Sequence, residues 1–357
     1  MFRKTKLFDM PDIYTVNAFT LGSKFYIGMG PEKSGNPYLI TYPSLNKTEA
    51  GIAPGGMMSL IPVPGRSDML VSVMGLFPPF QGKDAGVYRH TRSEDIWNVE
   101  KVLHLPFAHR CEILHKNQIN YLFTSTVSKC KREPTDWSEA GEVFITILTD
   151  LFQPMWNAEK IMGNIFRNHG MLKTVLHEKE VVCVSGTEGI FSLCPEGYEV
   201  RVTQVFDKEV SEFIFIDMDG DGQDELVTIE PFHGDSLNIY KLLSTGWKRI
   251  YDAPLAFGHG LSSGRLAGIP VVVVGNRAGV ASLDLFCMVR EGNKFRRYCI
   301  EKGTGTTQTQ IFHYLDEDYI LSANQLRGEA ALYCLRQGAL YKLSLIHISE
   351  PTRPRLI

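Results

Sequence analysis

Along this chain, short stretches in which apolar and polar residues alternate, or in which four or five apolar residues run together, are separated by turn-forming residues roughly every 8 to 12 positions. LSSGRL, VVVVGN, ASLDLFCMV and KFRRYCIE, for example, follow one another between Leu261 and Glu301. Both patterns predict strands. Helical periodicity is almost absent, so the expected fold class is all-β.

The stretches belong to a larger repeat. Three segments align on a histidine: His109 in PFAHRCEILHKNQINYLFTS, His169 in RNHGMLKTVLHEKEVVCVSG and His259 in FGHGLSSGRLAGIPVVVVGN. Each histidine lies 12 residues before an apolar strand, which begins at Tyr121, Val181 or Val271. The same layout, with other residues in place of histidine, starts near Ile13, Gly55, Glu209 and Thr306, giving seven units with a mean period of about 49 residues. Each unit reads as four short strands, the last often opening on an aromatic such as Trp97, Tyr198, Trp247 or Phe295. A four-stranded repeat of this length is the signature of a β-propeller blade, because seven such sheets set radially cover one another's faces.

The predicted architecture is therefore a single seven-bladed β-propeller over residues 1–342. Residues 3–9 are expected to add an edge strand to the last blade. That blade's own outer strand is expected from Ala339, where it runs into the tail and leaves the blade truncated. The tail itself, LSLIHISEPTR at 343–353, resembles a translated sequencing adaptor, so residues 343–357 are set aside as artefactual and His347 carries no weight. The segments 128–139 and 151–168 exceed what blade turns need and are expected to elaborate one rim.

Composition narrows the function. The 357 residues carry 37 Lys plus Arg against 40 Asp plus Glu, a net charge of -3, so no broad positive field favours nucleic acid or anionic lipid. The N-terminal MFRKTKLFDMPDIY has no apolar core of a secretory signal, and no apolar run of about 18 residues would span a membrane. Seven cysteines without an export signal suit free thiols in a reducing, cytoplasmic setting; Cys287 and Cys299 could face each other across a hairpin but read as unbridged. A monomer is expected. Nucleotide-binding loops, G-x-S-x-G elbows and CxxC pairs are absent, which weakens nucleotide-dependent and serine-hydrolase readings.

One loop carries chemistry. DMDGDGQDE at 217–225 sets carboxylates at alternate positions around a glycine-bearing turn between two strands. Asp217, Asp219, Asp221 and Glu225 as side-chain ligands, with Gln223 through its carbonyl, would form a hard oxygen site for a structural Ca²⁺ that braces the hairpin. DMDGDGQDELVTI resembles the calcium-loop repeat of the FG-GAP or VCBS propeller family, and GHGLSSGRLAGIPVVVVGN is similar to a version without the acidic loop. The spacing extends that resemblance over residues 10–342. More distantly the chain resembles the propeller portion of sugar lyases of the aldos-2-ulose dehydratase type. That resemblance implies a binding or catalytic centre on the propeller axis.

In a propeller the innermost strand of every blade lines the central channel, so equivalent starts of that strand form a ring. His109, His169 and His259 share that position, with Glu212 and Gln308 close to it. Converging imidazoles could hold Zn²⁺, Fe²⁺ or Mn²⁺, with Glu212 as a further ligand or a base. They could equally bond sugar hydroxyls, with Arg110 or Arg167 holding a carboxylate, or bond a neighbouring blade's backbone. His169 and His259 come from blades that are not adjacent, so convergence demands a narrow channel or bridging waters. His90, His104, His115, His177, His233 and His313 lack ligand spacing and read as structural. Trp137 and Trp156 are candidate stacking platforms for a sugar, and Pro78, Pro79 and Phe80 a candidate mouth loop. Two functions follow. The first is a binding module for a carbohydrate-like or protein partner; the alternative is a carbohydrate-active lyase or isomerase using the axial histidines, with or without a metal.

Overall fold

The computed structural model describes residues 1–78, 81–289 and 294–336. Its strands form seven separate four-stranded antiparallel sheets. Six are simple meanders: β2–β5 (Ile13–Glu49), β6–β9 (Ser59–His104), β10–β13 (Ala108–Ile165), β14–β17 (Met171–Phe206), β18–β21 (Glu212–Pro254) and β22–β25 (Gly258–Glu301). These are blades one to six. Blade seven combines β26 (Thr306–Tyr314), β27 (Glu317–Asn324) and β28 (Glu329–Leu335) with β1 (Phe2–Asp9) from the other end of the chain.

The closing strand is the expected one. β1 pairs with β28 from Phe2 opposite Leu335 to Asp9 opposite Glu329. Blade seven thus has four strands and is not truncated; the outer strand expected from Ala339 lies outside the described residues, and β1 holds its place in the sheet.

The sequence of β23, IPVVVVGN (Ile269–Asn276), shows why such strands look apolar throughout. Val272 and Val274 pack with blade five, while Val271 and Val273 pack with blade seven. A blade has no solvent face in its middle strands, so alternation disappears there, and each fully buried valine contributes roughly 1.5 to 3 kcal/mol. Seven apolar clusters among the described residues lie one between each pair of neighbouring blades. The outermost strands are polar, as in β17 (Glu199–Phe206), which protects the exposed edges.

Entry into six of the seven blades is also repetitive. Asp12, Gly56, Phe107, Arg167, Phe257 and Gly305 all adopt φ between 52° and 59°. Each stands two residues before Tyr14, Met58, His109, His169, His259 or Thr307. The ladder then slips by a residue at Tyr14, His109 and His259, and across Thr307 and Gln308. A bulge turns one side chain out of the pleat, which here aims it at the axis. In a meander, loops alternate between faces. The β11–β12 loop (127–140) and the β12–β13 loop (148–158) therefore leave from opposite faces, correcting the expectation that both long segments elaborate one rim. No helix among the described residues is long and apolar enough to cross a membrane.

Candidate functional site

Read around the ring, the axial positions are Tyr14, Met58, His109, His169, Ser211, His259 and Thr307, one for each blade. Blade five contributes Ser211, whose hydroxyl accepts the His233 amide at 3.1 Å. His233 comes from the β19–β20 loop (231–235) and puts its imidazole where blade five lacks one. It was expected to be structural. Instead, donor nitrogens of His169, His233 and His259 lie within 4.8 Å of one another. Because His233 stands between blades four and six, the three imidazoles converge from consecutive blades. The spacing of strand starts does not reveal His233, because it sits in a loop that opens on the same face and reaches the same point.

The second nitrogen of each ring matters as much. His259 donates Nδ1–H to the Thr307 carbonyl at 2.7 Å, which leaves Nε2 facing inward, 3.1 Å from the Tyr14 hydroxyl. His169 places Nδ1 2.7 Å from Glu212 Oε1, a close but poorly aligned contact, and its Nε2 lies 3.3 Å from Nε2 of His233. A carboxylate or carbonyl behind an imidazole fixes its orientation and makes the far nitrogen a better ligand. Gly170 is required beside His169: a Cβ there would lie 2.4 Å from Ser185 Oγ and 2.8 Å from the Ser211 carbonyl. Burial, reinforced by His169 and Arg277, pushes His233 down to about 2. Burial pushes His259 and His109 well below the usual imidazole range. Neutral rings are the form that ligates a metal.

His109 stands apart from that triple. Its ring centre is 4.5 Å from that of His169, and its buried Nδ1 lacks a well-formed hydrogen bond. Glu212 is shared, accepting from Arg110 at 3.1 Å while facing His169. Arg110, Glu212 and His259 line a cavity of about 290 Å³ below the cluster. This cavity shares Asn17, Glu112 and Gln310 with a wider opening of about 610 Å³. Burial raises the Glu112 carboxyl there, opposed by Lys173 and Arg110.

Gln308 lines the same cavity, while the remaining expected residues have other surroundings. Gln308 accepts from Thr15 Oγ1 at 2.6 Å and from the Val16 amide at 3.1 Å, so it ties blade seven to blade one. Arg167 is the left-handed residue ahead of His169 and pairs with Glu209 at 2.8 Å on the rim. Trp156 is buried in the core between blades two and three and offers no sugar platform. Trp137 meets Phe232, with ring centres 4.8 Å apart, and Lys131 and Arg167 lie over it. Pro79 and Phe80 lie outside the described residues. All seven cysteines are free, and Cys287 pairs with Arg296 across its hairpin, away from Cys299.

In the acidic hairpin, carboxylate oxygens of Asp217, Asp219 and Asp221 come within 4.8 Å of one another. Glu225 is outside that group. It accepts the Met218 amide at 2.8 Å, and its second oxygen, fully buried, lacks a well-formed hydrogen bond. Gln223 donates its amide to Asp221. The Lys241 ammonium meets Asp219, Asp221 at 2.7 Å and Glu225 at 3.2 Å. A monovalent side-chain cation thus sits among the carboxylates assigned to Ca²⁺.

No family model matches this chain, and no curated protein matches it in sequence. Among solved structures, Saccharomyces cerevisiae Sqt1 aligns with a TM-score of 0.56 at 8% identity, over 92% of this chain and 97% of that one. The likeness is one of fold. The chain is a seven-bladed β-propeller.

Proposed function

We propose that His169, His233 and His259 hold a divalent transition ion, and that the protein is a metal-dependent lyase or isomerase acting on a polyhydroxylated carbonyl compound. The observation that carries this is the convergence of three imidazoles, with Glu212 behind one and the Thr307 carbonyl behind another. This donor set suits Zn²⁺, Fe²⁺ or Mn²⁺. Such an ion would act as a Lewis acid on a carbonyl or hydroxyl oxygen. The chain supplies the remaining functions. His109, held neutral by burial, is the base that takes a proton beside the carbonyl. Arg110, held by Glu212, faces the cavity and is placed to stabilise negative charge on the substrate. The adjoining cavity is polar and of about sugar size, which supports this reading over a module that binds protein on its rim.

The test combines metal analysis with proton exchange. Purified protein should carry about one equivalent of transition metal. His109→Ala should retain it yet lose deuterium exchange into a panel of ketoses and sugar acids in heavy water by at least about a hundredfold. Metal-free protein at every stage of purification and reconstitution would overturn the reading.

We also propose calcium binding by the acidic hairpin, supported by the three converging carboxylates and the buried Glu225 oxygen. Calorimetric titration with CaCl₂ should give one site that Asp217→Asn removes. Heat of dilution alone would leave Lys241 as the counter-ion.

A further inference from the structure

Tyr14 is the axial residue of blade one, reached by the same kind of left-handed residue and bulge as His109 and His259. It is buried, and burial pushes its hydroxyl up to about 12. Thr307 fixes it from behind by donating its hydroxyl to the Tyr14 carbonyl at 2.7 Å, the same residue whose carbonyl orients His259.

Its distance from the cluster is informative. In a tetrahedral site with bonds of about 2.0 to 2.1 Å, neighbouring donor atoms stand about 3.3 Å apart. His169 Nε2 and His233 Nε2 are separated by 3.3 Å, and His259 Nε2 and Tyr14 Oη by 3.1 Å. Both separations match the spacing of two donors on one ion. The inward nitrogen of His259 and the phenol oxygen form one edge of the donor set, and the other two imidazoles form a second.

We infer that Tyr14 is the fourth ligand of the axial site, its oxygen joining His169, His233 and His259 around one metal ion. This inference rests on the metal reading above. As the oxygen–metal bond forms, the phenol proton passes to solvent, and the ligand set gains one negative charge against the ion's two positive ones. A site closed by four side chains would admit substrate by expanding to five-coordinate or by displacing the phenolate.

The test uses copper, whose bond to a tyrosine oxygen produces a visible charge-transfer band. Full-length protein stripped of metal and given one equivalent of Cu²⁺ should develop that band. Tyr14→Phe should bind the same copper without it, and its affinity for Zn²⁺ should fall at least about tenfold. Thermal unfolding of metal-free Tyr14→Phe checks that the variant is folded. A second measurement needs no variant: Zn²⁺ added to the wild-type protein should give a tyrosinate difference band in the near ultraviolet. Stoichiometric copper without a charge-transfer band, or a band that persists in Tyr14→Phe, overturns the assignment of Tyr14 while leaving the three-histidine site standing. Failure to bind either metal overturns both.

Discussion

Two sets of cation-seeking side chains stand in one molecule, built on opposite principles. The acidic hairpin gathers its carboxylates from nine consecutive residues, near the surface, where water and Lys241 relieve their repulsion. The axial site gathers imidazoles from blades four, five and six, with His169 and His259 buried and no Lys or Arg in the cluster among the described residues. Charge explains the contrast. Clustered carboxylates repel one another and need a counter-ion to fold, whereas neutral rings can be packed first and can accept an ion afterwards.

The largest effect expected from breaking this comparison is on metal content. His169→Ala should reduce bound transition metal from about one equivalent to under about a tenth, while Asp217→Asn should leave it unchanged. Elemental analysis decides. Loss of the metal in Asp217→Asn would mean that the hairpin, and not the axis, holds it.

A second experiment asks what distinguishes a ligand histidine from a structural one. His90, in β8 (Gly86–Ser93), is fully buried with both nitrogens engaged: Nδ1–H donates to the Ala50 carbonyl at 2.8 Å, and Nε2 accepts from Ser72 at 2.8 Å. Burial pushes it down to about 4, opposed by the bond to Ala50. Since the folded value lies below the unfolded one near 6.5, the unfolded chain takes up a proton first. The stability His90 contributes is therefore complete above pH 6.5 and is lost as pH falls toward 4, by about 3 kcal/mol at most. Urea denaturation of wild type and His90→Gln across that range should show a flatter profile for the variant. Parallel curves would contradict the buried, neutral assignment.

These contrasts also show what the sequence could reveal. The blades were legible because a strand covered on both faces must be apolar, as in VVVV at 271–274, and because the repeat places an axial residue at a fixed distance before each such strand. The acidic hairpin was legible because its ligands are contiguous. His233 was not, since its loop reaches the axis by folding over Ser211, a contact that no spacing in the sequence encodes. Blade closure by the N-terminal strand was legible, but its register, with Phe2 opposite Leu335, was not. The left-handed residues ahead of the axial positions include Phe107, Arg167 and Phe257, where side-chain preference gives no warning of positive φ.

On the acidic side of the comparison, Lys241→Met removes the ammonium and leaves Asp219, Asp221 and the buried Glu225 uncompensated. Burial works against the charge of Lys241, yet its bonds to those three carboxylates outweigh this and push the ammonium up. Because the group is partly screened by solvent, a loss of about 1 to 2 kcal/mol is expected in calcium-free buffer, measured by denaturant unfolding. If Ca²⁺ and the ammonium compete for one position, millimolar calcium should restore the variant more than it stabilises the wild type. Equal stabilisation of both would separate the two cation positions.

The smallest effect falls on Gln308, which the sequence groups with the axial histidines and the structure assigns to closure. Its side-chain oxygen accepts two bonds from blade one, so Gln308→Ala should cost about 1 kcal/mol or slightly more in unfolding free energy. Metal content should not change. The ring holds two kinds of axial residue on one repeated backbone, some spent on joining blades and some free to face a ligand, and hydrogen-bond partners separate them where position does not. A Gln308→Ala protein that lost its metal but kept its stability would place this residue among the ligands and leave the join between blades seven and one to Gln310, which accepts from the Ala18 amide at 2.6 Å and donates to the Ala18 carbonyl at 3.1 Å.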